Sequence, residues 1–557
     1  MNSIDRRAFL RTGLVAAGLG GLAAGCASLP ARRPASSSHP RLIEPHSPQV
    51  AAAEAARPKT GRTRTYALTA AAGLADLGGP TVRTWSYGGQ IPGPAIRVTK
   101  GDLIDVTVDN QLPAATTIHW HGVAICNDMD GVPPITQAAV PSGGRFRYRF
   151  TAAEPGTYWF HPHAGVQLDR GLYAPLIIED PTEPAPYDHD WTVVLDDWLD
   201  GTGRTPDQVL ASLRQGMGHM NMTSPSASPG RSGMGGMHTA APSPAMSGMG
   251  GIPSPATGGG GGMSSSRGMS AMPGSGSGGR PGSSALLGGD AGDVSYPYYL
   301  INGRIPAAPH VFTGRPRQRA RIRFINAAAD TAFRVALGGH QMTVTHTDGF
   351  PVVPVRAGAL LIGMGERYDV EVTLGGGVFP LTALAEGKNA SALALVRTGA
   401  GRPPRPGVRP RELNGPIPGY GPSARDAALR PAASVALPAR SPEVTHRLAL
   451  TGGMGRYDWA INGQPYNPDS PQRFLVRPGQ RARVIFANRT AMYHPMHIHG
   501  HTFQLADGGP RKDTVIVLPG QQVACDVEAV NPGQWVTHCH NIYHQESGMM
   551  AILAYQA

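Results

Sequence analysis

Residues 536–550 read VTHCHNIYHQESGMM, and their spacing decides how the rest of the chain is read. Cys539, one of only four cysteines, stands between His538 and His540; His544 follows five residues later and Met549 five after that. Along a β-strand the side chains of residues i and i+2 leave the same face, so His538 and His540 are expected to point one way and Cys539 the other. A thiolate, two imidazoles and a weak axial thioether make the ligand set of a blue-copper electron-transfer centre. Cys539, His544 and Met549 supply three of those groups, and His494, upstream of a strand expected to pair with this one, supplies the further imidazole. The two flanking histidines are left for a second site directly behind the first.

Beyond this stretch, more than half of the 20 histidines fall in four short clusters: HWHG (119–122), HPHAG (161–165), HPMHIHGH (494–501) and THCHNIYH (537–544). They contain four His-x-His pairs, at 119/121, 161/163, 497/499 and 538/540. Each pair sends two imidazoles in one direction, as a bridged metal cluster requires. Packing accounts for one such pair; it does not account for four.

Between the clusters the chain reads as β-structure. Segments such as AIRVT, LIDVTVDNQL, FRYRF and RARIRFINA alternate like strands and are punctuated by turn residues, in a chain with 74 Gly and 53 Pro. GDLIDVTVDNQLPAATTIHWHG (101–122) and GQRARVIFANRTAMYHPMHIHG (479–500) share one grammar: a Gly-started strand, an Asn, then His-x-His-Gly. The expected fold is all-β, with related β-sandwich domains over residues 58–182, 183–400 and 441–557 and a linker over 401–440. Residues 216–283 break the pattern, with ten of the 19 Met, no aromatic residue and no acid among Gly, Ser and Pro. Such a composition stays disordered in isolation.

The formal charge of +11 is not read as a nucleic-acid signal. All but four of the 49 basic residues are Arg, and they are scattered apart from small clusters at the N-terminus and at 401–412. The first residues read as an address: Arg6-Arg7 precedes a short, glycine-rich apolar run (12–25) that ends at Cys26. The pattern predicts export by the twin-arginine machinery to the periplasm or cell envelope, and lipidation of Cys26 as a membrane anchor. A Pro/Ser/Ala/Arg-rich tether then runs to residue 57, its composition unable to bury a core. Outside the cytoplasm a disulfide between Cys126 and Cys525 is permitted, but nothing in the sequence places them together.

Taken together, HWHG, HPHAG, HPMHIHGHTFQ and HCHNIYHQESGMM resemble the four copper signatures of the multicopper oxidases. YPYYLINGRIP, HTDGFPVVP and RKDTVIVLP further resemble the mycobacterial-type copper-resistance members of that family. The resemblance covers nearly all of the chain from about residue 50 onward except the Met-rich insert, and implies cupredoxin-like Greek-key domains and four copper ions. By that likeness His494, Cys539, His544 and Met549 hold a type 1 copper, and His119 and His497 a type 2 copper. His121, His161, His163, His499, His538 and His540 hold a type 3 pair. One-electron donors would be oxidised at type 1, and O2 reduced to water at the three-copper cluster.

Asp130, in NDMDG, matches the family's acid near type 2; the alternative is a turn Asp before Gly131. Gln545 stands where many bacterial laccases carry Glu, which leaves Glu546 as the neighbouring acid for proton relay. Met492 matches a residue that contacts the substrate ion in cuprous oxidases, or else is an apolar residue at a strand end. With the thioether-rich insert, it favours Cu(I) as the donor, oxidised in copper resistance, with phenols or Fe(II) as further donors. The alternatives are a laccase acting mainly on organic phenols and a copper-binding protein without turnover.

Overall fold

The segments that alternate in sequence form strands, and these strands form three pairs of sheets, besides a two-stranded ribbon of Ser283–Ser284 and Gly289–Asp290, in the computed structural model, which describes residues 41–183, 187–215, 282–420 and 428–557. The first pair has two four-stranded sheets; the second and third each combine a six-stranded with a five-stranded sheet. One pairing recurs in all three. Thr63–Asp76 runs parallel to Leu103–Gln111, His189–Trp198 to Arg319–Asn326, and Val444–Thr451 to Arg481–Asn488. The second strand of each couple then takes an antiparallel neighbour on its other side: Arg145–Thr151, Arg367–Thr373 or Gln522–Glu528. The architecture is a cupredoxin-like β-sandwich, three times over.

The repeated Asn ends the same strand each time. Asn110 Nδ2 donates to the carbonyls of Ala114 and Val140 at 2.9 Å each, and its Oδ1 accepts from Leu112 N at 3.0 Å. Asn488 does the same with Met492, Val517 and Thr490 at 2.6, 3.0 and 2.9 Å. Asn326 repeats it in the middle sandwich with Thr331, Ile362 and Ala328 at 2.9, 2.9 and 3.0 Å. An amide that satisfies backbone groups at a strand end fixes the loop that follows. In the outer sandwiches that loop leads into His119–His121 or His494–Ile498; in the middle one it leads into Phe333–Leu337, which has no histidine.

A buried ion-pair cluster inside the middle sandwich meets the first sandwich at the Thr157 hydroxyl. Arg321 and Arg323 leave one face of Arg319–Asn326 and both reach buried Asp369, at 2.6 and 3.1 Å. Arg323 also donates to Thr157 Oγ1 at 2.9 Å. Breaking such a buried pair by removing one partner costs about 3–5 kcal/mol.

Residues 42–57 depart from the expected tether. Pro48–Ala55 is a helix, capped by Ser47 with Pro48 in its first turn. Ile43 N donates to the Tyr555 carbonyl at 2.8 Å, and Glu54 accepts from Thr151 N at 2.7 Å. Buried Ile43 and Val50 cannot make a core alone, but they join one that the rest of the chain provides. Cys126 and Cys525 are both buried and free, so no disulfide joins them. No helix among the described residues is long and apolar enough to cross a membrane. Arg6-Arg7, Cys26 and nearly all of 216–283 lie outside the described residues.

Candidate metal centre

The histidine strands pair so that the motifs converge. His119 lies opposite His161 and, in the third sandwich, His497 lies opposite His538. Eight histidines from the first and third sandwiches meet there, none more than 7% exposed. His121, His161 and His540 form one group and His163, His499 and His538 another, with donor atoms within 4.8 Å of one another in each. His119 and His497 form a third with His121. Three of the four His-x-His pairs are thus split between groups, and His121 of the fourth belongs to two of them, as bridging requires.

One nitrogen of most rings is tied from outside. Nδ1 of His161, His497 and His538 donates to the carbonyls of Pro162, Asp513 and Cys539 at 2.9, 2.8 and 2.9 Å. Nδ1 of His119 donates to the carboxylate and carbonyl of Asp130, both at 3.1 Å, and Nδ1 of His499 to the other carboxylate oxygen at 2.9 Å. His121 is reversed, with Nε2 donating to Asp513 at 3.2 Å and Thr514 at 3.1 Å. The opposite nitrogens of His119, His121, His161 and His497 are buried without a protein partner, as are Nε2 of His163 and both nitrogens of His540. Orphaned buried nitrogens are costly unless a cation fills the space they face. Burial, helped by neighbouring imidazoles, pushes the pKa of His121, His161, His163, His499, His538 and His540 well down, and lowers His497 as well. The cage therefore offers neutral rings, the form that ligates a metal.

Cys539 faces away from the cage. Its Sγ lies 3.6 Å from Nδ1 of both His494 and His544, and those two nitrogens are 3.1 Å apart. Their far nitrogens are fixed: His494 Nε2 meets Thr490 Oγ1 at 2.8 Å, and His544 Nε2 donates to Asp293 at 2.9 Å. Burial lowers the pKa of both rings, but at His544 the Asp293 carboxylate outweighs it and raises the value to about 10. Met549, fully buried, is tied by its backbone, with N donating to the His544 carbonyl at 3.0 Å and O accepting from Cys539 N at 3.1 Å. The Trp459 ring packs 4.2 Å from that of His544. Asp293 carries no motif, and only the fold brings it here.

The other expected residues separate. Asp130, with no exposure, is bonded to two cage rings, and its backbone N–H closes a turn on Asn127 at 3.3 Å. Glu546 ends the helix Ile542–Glu546, accepts from Gln545 Nε2 at 3.1 Å, and its carbonyl accepts from the Arg214 guanidinium. It touches none of the cage histidines among these contacts, and burial raises its pKa. The cage has a different second carboxylate, Asp513, which sequence reasoning does not single out. Met492 is 1% exposed, a position that fits an apolar strand-end residue. His501 is engaged at both nitrogens, by the His499 carbonyl at 3.0 Å and the Tyr555 hydroxyl at 2.6 Å.

Repeated sandwiches, a cage of paired histidines and an adjoining thiol define a class. Family models described as multicopper oxidase match residues 70–183, 283–400 and 439–557, and the chain belongs to the multicopper oxidases, copper-dependent oxidoreductases with O2 as acceptor. It is 49% identical over its full length to the multicopper oxidase MmcO of Mycobacterium tuberculosis, matching 98% of that protein. It is 27% identical to copper resistance protein A of Escherichia coli, over 87% of this chain and 91% of that protein. Among solved structures, the laccase from Botrytis aclada shares the fold with a TM-score of 0.66 at 21% identity, covering 94% of this chain and 93% of that one. Fet3p, a multicopper oxidase that functions in iron import, shares it at 0.65 and 18%, over 89% and 90%.

Proposed function

We propose that the chain couples one-electron oxidation of Cu(I) to four-electron reduction of O2 to water, with four resident copper ions. The observation that carries this reading is the continuity of three residues: Cys539 lies with His494 and His544, while its neighbours His538 and His540 lie in two different three-histidine groups. In this reading His494, Cys539, His544 and Met549 hold type 1 copper, His119 and His497 type 2, and His121, His161, His163, His499, His538 and His540 the type 3 pair. The orphaned nitrogens fit, since neutral imidazoles and a thiolate are copper donors. Bound copper supplies the one-electron steps and the binding of O2. In this reading the chain's own backbone at 538–540 holds the two centres in fixed relation, burial excludes bulk water, and Asp130, bonded to two cage rings, would hand protons in at the cage wall.

Three things support Cu(I) as donor. Thioethers select soft Cu(I), and the Met-rich insert carries no acid to favour hard ions. The described residues beside the insert reach the thiol site: Arg214 donates to Glu546 on the helix of His544, Asp290 bridges the backbone of Met492, and Asp293 holds His544. Copper-resistance proteins are also among the relatives. Arg6-Arg7 and Cys26 extend the proposal to an exported, lipid-anchored enzyme, which Cys26→Ala should release from the membrane fraction. Membrane association that ignores the substitution would make Cys26 incidental. Copper per chain with a visible spectrum tests the centres, and rates on Cu(I) against a phenol in one preparation test the donor. A strong preference for the phenol would make the chain chiefly a laccase; absence of O2 uptake would leave a copper-binding protein.

A further inference from the structure

The middle sandwich gives no histidine to the cage, yet one of its turns forms part of the wall. Arg367 is fully buried, and its guanidinium meets Asp513 as a fork, Nη1 to Oδ1 and Nη2 to Oδ2 at 2.6 Å each. The guanidinium is held in place by the Thr157 carbonyl at 3.0 Å and the Gly365 carbonyl at 3.1 Å. Asp513 accepts in turn from His121 Nε2 at 3.2 Å, and its carbonyl accepts from His497 Nδ1 at 2.8 Å. Thr514 Oγ1 sits between the same two rings, 3.1 and 3.2 Å from those nitrogens. Asp348, also from the middle sandwich, accepts from the backbone amides of Asp513 and Thr514 at 3.1 and 3.2 Å. Gly365, at φ +83°, lies against the rings; a Cβ there would fall 2.8 Å from His540 Cδ2 and 2.9 Å from His121 Cε1.

The two carboxylates of the cage therefore differ. Asp130 accepts from two ring N–H groups, and among the described residues no Lys or Arg pairs with it. Asp513 is neutralised by a planar fork that also fixes its orientation. A fork constrains both position and rotation of a carboxylate, which the point charge of Lys does not.

We propose that Arg367 is a positioning residue of the O2-reducing cage: acting through Asp513, and with Thr514 alongside, it sets the ring planes of His121 and His497, while Gly365 sets how closely the backbone approaches. The inference rests on the copper reading above. It gives the ligand-free sandwich a part in shaping the site, as the element that closes the cage.

The test uses the full-length, copper-loaded protein as R367M, R367K, the double variant R367M/D513N, and G365A. In R367M the blue absorbance per chain should be unchanged, while the type 2 EPR hyperfine splitting shifts. Cage copper should pass to a competing chelator about 10–100-fold more readily, the range for removing an outer partner of a ligating histidine. R367K restores charge without the fork and should recover only part of both effects. G365A should weaken cage copper retention with no change of charge and no change in the blue band. Because R367M leaves a buried carboxylate unpaired, it is the variant most prone to misfold; the double variant removes that charge, and should fold and still show the shifted splitting. Wild-type splitting and copper retention in R367M or the double variant would overturn the proposal, as would full recovery in R367K or wild-type retention in G365A. A wild-type chain with no blue band at all would instead fail the copper reading.

Discussion

Asp130→Asn separates two jobs done by one buried carboxylate. Its Oδ1 lies 3.1 Å from His119 Nδ1 and its Oδ2 2.9 Å from His499 Nδ1. Asn keeps the shape but offers one oxygen; its NH2 must then face one of two ring N–H groups, donor against donor. The rings are not equally exposed to this loss. His119 keeps the Asp130 carbonyl at 3.1 Å, whereas no other bond holds His499 Nδ1 among the described residues. A buried donor left unpaired costs about 1–3 kcal/mol. Removing the outer partner of a ligating histidine lowers metal affinity about 10–100-fold, which is about 1.4–2.8 kcal/mol. The two figures agree, so the group His163, His499 and His538 should hold copper one to two decades more weakly (about 10–100-fold) while the thiol site is untouched. Chelator competition followed by copper count and blue absorbance reads the first effect. O2 uptake across pH at saturating copper reads the second, and should be slower with all coppers bound. Wild-type copper retention together with unchanged turnover at every pH would leave Asp130 only its turn.

Cys539→Ser should abolish the blue thiolate-to-copper band and all turnover while cage copper remains; a variant that stays blue refutes the thiol assignment. Copper-free protein should lose stability in acid. The cage histidines have depressed pKa values in the fold, so their neutral forms contribute fully above the unfolded value of about 6.5, and stability falls below it by up to about 1.4 kcal/mol per pH unit for each ring. Melting temperature against pH, after chelation, reads this, and a flat profile from about pH 7 to 5 contradicts a neutral cage. Deleting 216–283, or changing its ten Met to Ser, should lower cuprous oxidation at limiting Cu(I) while phenol oxidation holds or rises. Equal cuprous rates would make the insert a spacer.

Legibility followed the range over which each feature is encoded. Period-2 alternation is local, and it suffices to set Cys539 opposite His538 and His540 and to gather eight paired histidines. Asn110 and Asn488 announce the outer sandwiches because histidines follow them; Asn326 does the same work silently. Asp293 lies 251 residues from His544, and Arg367 lies 146 from Asp513, so no periodicity or motif spacing can report either contact. Glu546 shows the converse, since adjacency to His544 puts it at a helix end, where its contacts are with Gln545 and Arg214. At Ser47-Pro48 the capping residues of a helix are present in sequence, but the composition around them hides it.

Register is where folding and chemistry meet. Met496 lies opposite Cys539 and His497 opposite His538; a slip of one residue would turn the thiol into the cage and an imidazole into the thiol site. Hydrophobic patterning cannot prevent this, because Gln534–Cys539 is buried on both faces. Shape does. Gly500, at φ +60°, lies where a Cβ would come within 2.2 Å of the Trp535 ring, so that ring fits only beside a residue without one. Trp535 Nε1 also donates to the Asn531 carbonyl at 2.9 Å, and Asn531 Nδ2 reaches back to the Gly500 carbonyl at 2.9 Å. Trp535 stands four residues before Cys539 on the same strand, so seating its ring seats the thiol, and the packing of one indole against one glycine fixes which site each donor of the His-Cys-His run enters.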